Sequence, residues 1–406
     1  MREAVVVGGG VIGCSIAFHL ARLGMRNVLL LEKGSLAGEA SGRSGAVVRM
    51  HYTNEHEARL ALASLPWFED WAGRVGGDCG FQATGFLQMV GSKDRDRLRN
   101  NVKMLRRLGV TTELVEGAEI RRLQSWLHVT DGDLAAYEPG SGYADPVATT
   151  RSFAQAAGRL GAEVREGVAV TALGTRGGRV RTVETTEGPV ATPVVVLANG
   201  GWAPRLLRPL GIELDLQTTR VQVAFFRRPA QMQRGPVGHF AVIDRANGFY
   251  ARPHGDDATL VGLSAFHRPL DLDGHLGDND ADFLALALRQ LTSRAPEYAG
   301  AELLRGHAGP IDMSPDGAAG LGPVTDAEGL YLAVGMSGTG FKKSPAIGAC
   351  MAELIVQGEA HTAPLHPFRL SRFAEEDVIA GASYSLPSHA VDVREIGAMR
   401  GRAVVH

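Results

Sequence analysis

The 406-residue sequence predicts an α/β fold plus an α+β portion. Three observations carry this: a strand, glycine-rich turn and helix at the start of the sequence, a second glycine-rich strand-to-helix turn near its end, and strand-rich segments inserted between them. Residues 4 to 13 read Ala-Val-Val-Val-Gly-Gly-Gly-Val-Ile-Gly. Gly8 permits the tight turn out of the first strand, Gly10 lets backbone approach a pyrophosphate, and Gly13 allows the helix to pack closely on the strand. Val11 and Ile12 open that helix, whose N-terminal amides point at the phosphates. Ile12, Ile16, Leu20 and Leu23 then recur at helical spacing, and Gly24 stands where a C-cap would. Val28 to Leu31 is a second apolar run closed by Glu32, placed to accept from ribose hydroxyls. Strand, glycines, helix, cap, strand and acid in this order make a dinucleotide-binding βαβ unit.

A composition of 45% hydrophobic and 21% charged residues is that of a globular chain with core enough for two domains. The formal net charge of −2 leaves no electrostatic footprint for nucleic acid or an anionic membrane. Cys14, Cys79 and Cys350 are widely spaced and form no C-x-x-C. Neither a disulfide framework nor a zinc cluster is expected, no metal is assigned, and the location expected is cytoplasmic. The apolar stretch Ala4 to Ala21 holds Gly8, Gly9, Gly10, Gly13 and His19, and reads as strand plus helix rather than signal peptide or membrane span.

The βαβ unit alone leaves NAD and FAD open. No second G-x-G-x-x-G follows a strand downstream, so no separate pyridine-nucleotide site of this type is expected. Two strand-like runs, Val164 to Val170 and Val190 to Ala198, flank a turn at Gly177-Gly178, and the second ends in Asn199-Gly200-Gly201-Trp202. Leu330 to Val334 reads as a strand before Gly335 to Lys342. Pro345 is expected to open a helix carrying Ile347, Met351, Leu354 and Ile355 and ending near Gly358. A glycine-rich turn into a helix start suits a flavin pyrimidine carbonyl that gains negative charge on reduction; the plain alternative is a tight αβ connection. The map is discontinuous, with nucleotide-binding segments at 1–82, 143–212 and 305–365 and insertions at 83–142 and 213–304. The tail 366–406 is read as irregular, covering a domain surface or reaching a partner. The first insertion holds a charged helix, Asp94 to Leu108. The second holds strands at Gln217 to Phe226, His239 to Val242, Phe249 to Arg252 and Thr259 to Leu263, then a helix over Asp280 to Leu291.

Together, the Gly8, Gly10, Gly13 and Glu32 unit, GEASGRSGAVVRMHY from Gly38 to Tyr52, ANGGW, MSPDG at Met313 to Gly317 and GMSGTGFKKSPAIG at Gly335 to Gly348 resemble the FAD-dependent amine oxidoreductases. More narrowly the chain is similar to the D-amino-acid-oxidase-like superfamily that includes sarcosine oxidase, its heteromeric β subunit, glycine oxidase and dimethylglycine dehydrogenase. The resemblance runs to about Gly358. It implies a Rossmann-like FAD-binding domain interleaved with an antiparallel-sheet substrate domain, the flavin lying between them. Cofactor contacts are implied from Lys33, Ser41, Arg43, Ser44, Gly45 and Ala46, from Val170, Asn199, Gly200 and Trp202, and from Gly309, Gly338, Thr339, Gly340, Phe341 and Lys342.

The family pattern also implies a substrate-carboxylate arginine at Arg49, in Arg49-x-x-Tyr52, a lysine near the same carboxylate at Lys342, and a substrate-facing tyrosine at Tyr250. Two cations converging from distant segments make chemical sense, because a carboxylate must be held rigidly to present the α-carbon hydrogen to flavin N5. Arg supplies a planar fork and Lys a point charge. The plain alternatives are a surface ion pair of Arg49 with Glu55 or Glu57, a solvated Lys342 beside Lys343, and a core Tyr250 bonded to backbone. His51, His254 and His307 invite a general-base role, but a neutral amine gives up hydride equivalents without one, and all three are read as structural.

Two departures from the family carry information. Monomeric sarcosine oxidases link flavin to a cysteine six residues before the Pro-Asp pair; Pro315-Asp316 puts Gly309 there, so FAD is expected to be non-covalent. The same oxidases carry a lysine near flavin N5 that assists oxygen reduction, and Leu260 takes its place, which puts oxygen in doubt as acceptor. The expected substrate is a carboxylate-bearing amine or amino acid, with a secondary or N-methyl amine first, oxidised to an imine that hydrolyses. A 2-hydroxy-acid or D-amino-acid dehydrogenase, or a flavin-binding subunit of a larger electron-transfer complex, stays open. So do oxygen or another acceptor, and a homo- or hetero-oligomer.

Overall fold

The computed structural model describes residues 1–232, 239–264, 266–274 and 276–385. Strand Ala4–Val7 is apolar and buried throughout, and pairs in parallel with Val28–Glu32 on one side and Val195–Leu197 on the other. Glu163–Glu166 extends this sheet beyond Val28–Glu32; Leu330–Val334 and then Gly320–Pro323 extend it beyond Val195–Leu197. Every neighbour is parallel except the last pair. Strands covered on both faces read as continuous apolar runs, which is why Leu330–Val334 stands where the sequence predicts it.

Helix Val11–Arg22 lies on one face of this sheet, packed between Pro146–Arg159 and Gly340–Gln357. Two glycines set the closeness of that packing. A Cβ at Gly13 would lie 2.0 Å from the Gly8 carbonyl oxygen, and one at Gly348 would lie 2.1 Å from Ser15 Oγ. The other face is covered by a small antiparallel sheet, Val170–Arg176, Arg179–Thr185 and Val190–Ala191, through Leu173, Val180 and Val183.

The second large sheet runs, in order, Arg268–Pro269, Gln217–Arg227, Ala258–Leu263, Phe249–His254, Ala241–Asp244, Phe86–Val90, Leu134–Glu138 and Glu113–Glu116. It draws on both insertions and is antiparallel except where Ala241–Asp244 meets Phe86–Val90. Helix Ala281–Arg294, with Asp280 as its N-cap residue, buries Phe283, Ala287 and Leu291 against it. The charged helix of the first insertion spans Arg95–Arg107.

Several boundaries differ from expectation for identifiable reasons. Leu303–Met313 pairs along its length with Gln217–Arg227, so a division at 305 cuts through a strand of the large sheet. Gly306, Gly309 and Pro310 hide that strand from a pattern search. Val164 to Val170 is not one strand: Gly167, at φ +76°, separates Glu163–Glu166 from Val170–Arg176. Pro193 likewise divides Val190–Ala191 from Val195–Leu197. The strand expected from His239 begins at Ala241.

Pro345 does not open the last helix, which begins at Gly340 and holds Pro345 inside. The interruption is absorbed by neighbours. The Ala346 N–H donates to Ser64 Oγ at 3.1 Å, and the Ser15 hydroxyl donates to the Ser344 carbonyl at 2.8 Å. In the tail, two 3₁₀ turns end at Phe373, and the fully buried Arg372 grips Asp316 through two bonds of 2.8 and 2.9 Å. The tail beyond Ser385 lies outside the described residues. Among the described residues no helix is long and apolar enough to cross a membrane.

Candidate active site

A cavity of about 450 Å³ runs from Glu32 and Lys33, at the end of the second parallel strand, to Gly338, Gly340 and Phe341 at the start of the last helix. Tyr250 and Val223 of the large sheet form its far wall. At one end the Glu32 carboxylate accepts from the Gly9 N–H at 2.6 Å and the Gly34 N–H at 2.8 Å. Gly9, in the middle of the glycine run, makes this possible: a Cβ there would lie 2.7 Å from that of Glu32. Lys33 Nζ stands 3.6 Å above the Trp202 ring. At the first helix start, Ser41 Oγ accepts from the Val11 N–H at 2.9 Å, against the open side of Gly10.

Gly8, Ile12, Ser44, Gly45, Val170 and Gly200 also line the cavity, as does Asn199, whose buried Oδ1 has no hydrogen-bond partner among the described residues. Arg43 and Gly309 meet on the wall. The arginine donates to the Ala308 carbonyl at 2.9 Å and its Cβ would lie 2.9 Å from a Cβ at Gly309. None of the three cysteines lines the cavity. Nor do Gly13, Ala46, Thr339 or Lys342. Gly13 serves helix–strand packing, Ala46 is buried at φ +50°, and the Thr339 hydroxyl donates to the Met336 carbonyl at 2.9 Å.

Arg49 does not line the cavity; half-buried, it lies over two rings, 4.7 Å from the Tyr52 centroid and 5.8 Å from that of Phe86. Among the described residues it makes no ion pair: Glu55 holds Arg59 and Glu57 holds Lys343 at 2.7 Å. Lys342 is buried rather than solvated. Burial holds its ammonium well below the ordinary lysine range, and the charges of Arg49 and Lys343 add to this. Tyr250 packs on two glycines: a Cβ at Gly262 would lie 2.2 Å from its Cζ, and one at Gly45 3.0 Å from its Cε2. Burial pushes its phenol up to about 12, and among the described residues the hydroxyl is not bonded to backbone.

The histidines are held in the framework. His51 is buried, its Nε2 2.6 Å from the Tyr384 hydroxyl, and burial with Arg49 and Arg245 nearby pulls its pKa down to about 3. His254 contacts Arg305, and His307 contacts the Arg43 carbonyl. Two arginines escape a motif search altogether. Arg252, almost fully buried, donates to the Gly45 carbonyl at 2.5 Å and the Pro253 carbonyl at 2.7 Å, with Tyr143 beneath it at 4.5 Å. Arg245 adjoins Ala241–Asp244. Arg252 stands inside a short strand and Arg245 just after one, where no motif marks either.

A carboxylate at the end of a second parallel strand, a glycine turn at one helix start, an orphaned Asn199 oxygen and a second helix start facing the same cavity fit a flavin dinucleotide. Residues 3–354 match the FAD dependent oxidoreductase (DAO) family, and the chain belongs to that family of FAD-dependent enzymes. It is 24% identical over 370 residues to human mitochondrial dimethylglycine dehydrogenase, covering 88% of this chain, and it spans only 43% of that protein's length. To human peroxisomal sarcosine oxidase it is 27% identical over 389 residues, covering 91% of this chain and 96% of that one. The solved structure of L-proline dehydrogenase from P. horikoshii is similar at a TM-score of 0.86 and 25% identity, covering 93% of this chain and 99% of the other.

Proposed function

We propose that this enzyme holds FAD non-covalently and oxidises the carbon–nitrogen bond of a carboxylate-bearing amine or amino acid, a secondary or N-methyl amine foremost. The observation that carries the reading is Arg49, a half-buried arginine on two aromatic rings without an ion pair among the described residues, within electrostatic reach of the buried Lys342. A carboxylate between them satisfies both. It meets the arginine fork and restores the charge that burial denies the lysine. Tyr250 presents its hydroxyl from the cavity wall to orient the substrate. Bound FAD supplies the two-electron oxidant. Dimethylglycine, sarcosine and proline, named in the relatives, are amino acids with carbon-substituted nitrogen, which supports this substrate class.

Anaerobic mixing of the holoenzyme with N-methyl, D-amino and 2-hydroxy acids tests the reading. Flavin bleaching is expected with N-methyl or other secondary amino acids; bleaching by 2-hydroxy acids alone overturns it, and no bleaching by any class favours a subunit of a larger complex. Acid precipitation should leave all the FAD in the supernatant. Flavin retained on the pellet would refute the non-covalent assignment, which rests on Gly309 and on the lack of any cysteine among the residues lining the cavity.

A further inference from the structure

The face of the large sheet turned toward the cavity carries a second unpaired arginine. Strand register places Tyr250, Ile243, Gln88 and Ala136 side by side in one row across four strands. Arg245 follows Ile243 by two residues, and its N–H donates to the Met89 carbonyl at 3.0 Å, continuing the ladder. Alternation therefore sends its side chain from the same face as Ile243 and Tyr250. Arg49 lies over Phe86, two residues before Gln88 on that face. The two arginines thus flank the Tyr250–Ile243–Gln88 row from opposite sides.

Among the described residues Arg245 Nε is buried without a hydrogen-bond partner and the side chain forms no ion pair. Neighbouring carboxylates are held elsewhere, with one oxygen, Glu138 Oε1, buried and unpartnered among the described residues. Glu138 accepts from the Met50 N–H at 2.9 Å and the Ser141 hydroxyl at 2.7 Å; Asp94 pairs with Arg97 at 2.7 Å and accepts from the Ser385 N–H at 2.8 Å. A part-buried guanidinium whose Nε is buried and unpartnered is costly, and an anion relieves it. A single carboxylate on Arg49 and Lys342 leaves Arg245 unsatisfied.

Resting on the reading of Arg49 above, we infer that the preferred substrate is an amine bearing two carboxylates, one held by Arg49 and Lys342, the other by Arg245. Calorimetry on the holoenzyme with two isosteres in which sulfur replaces nitrogen tests this: thiodiacetate, with two carboxylates, and methylthioacetate, with one. Wild type should bind the dicarboxylate at least tenfold more tightly, and Arg245→Met, checked for unchanged flavin content, should bring the two affinities within twofold. Equal affinities in wild type, or a ratio that survives Arg245→Met, overturns the inference. Arg49→Met separates it from the underlying reading. Weaker binding of both probes supports that reading, whereas unchanged affinities with the wild-type ratio intact refute it and leave the two-carboxylate preference supported.

Discussion

Arg49 and Lys342 reach one region by different physical routes. Arg49 lies over the Tyr52 and Phe86 rings, whose faces stabilise a cation. Lys342 has no such support and is disfavoured as an ammonium until an anion arrives. Arg49→Ala and Lys342→Met should each weaken carboxylate substrates while FAD stays bound. Losing one partner of a buried charged contact costs about 2–5 kcal/mol, roughly 30-fold to several thousand-fold in affinity. Arg49 should show the larger effect, since its fork meets two oxygens at once. The check is kcat/KM on the best substrate, and wild-type values in both variants would remove the site. These two residues were legible because they sit in motif stretches. Gly9 and Arg245 were not, since their roles depend on what Glu32 and the sheet register bring beside them.

Between elements, the pair of Glu57 and Lys343 ties helix Glu55–Glu69 to helix Gly340–Gln357 at 2.7 Å, both side chains being almost wholly buried. Lys343 holds the Glu57 carboxyl below the ordinary range despite burial, and Glu57 holds Lys343 above its own. Glu57→Gln leaves a buried lysine uncompensated, which costs about 3–5 kcal/mol, while Glu57→Leu with Lys343→Met should restore much of the loss. The depressed carboxylate contributes fully above the unfolded glutamate value of about 4.3 and less as pH falls through its folded value; the raised lysine contributes below about 10.4 and less as pH rises through its folded value. The stability gap between wild type and Glu57→Gln, from urea unfolding, should therefore be flat near neutrality and shrink at both extremes. A gap that widens toward acid would contradict the pairing. Elements with continuous apolar runs were legible from sequence. The start of Gly340–Gln357 was not, because Ser64 and Ser15, distant in sequence, take up the hydrogen bonds that Pro345 disrupts.

At the scale of the molecule, the cavity lies between two sheets, and we expect the wall the large sheet presents to bear on which oxidant collects the electrons. Leu260 does not itself line the cavity: it is 1% exposed, packed behind Val223 and Tyr250, which do line it, in an apolar cluster with Phe225 and Leu304. Register places Arg252 directly beside it, a cation the sequence pattern did not reveal. Its guanidinium, however, is turned onto the Gly45 and Pro253 carbonyls and the Tyr143 ring. Passing the first electron to oxygen creates negative charge in a site of low dielectric, and an apolar side chain cannot stabilise it. Lacking one preorganised electrostatic partner commonly costs about 3–4 kcal/mol, roughly 10²-fold to 10³-fold in rate. Reduced holoenzyme should therefore reoxidise slowly in air-saturated buffer and at least about 100-fold faster with a dye or quinone. Leu260→Lys is a weak converse, because a lysine buried against Arg252 sheds its proton. Stopped-flow reoxidation of wild type and Arg252→Met decides instead: oxygen reacting as fast as the best dye would sink the expectation, and a fall in that rate in Arg252→Met would assign the missing charge to Arg252.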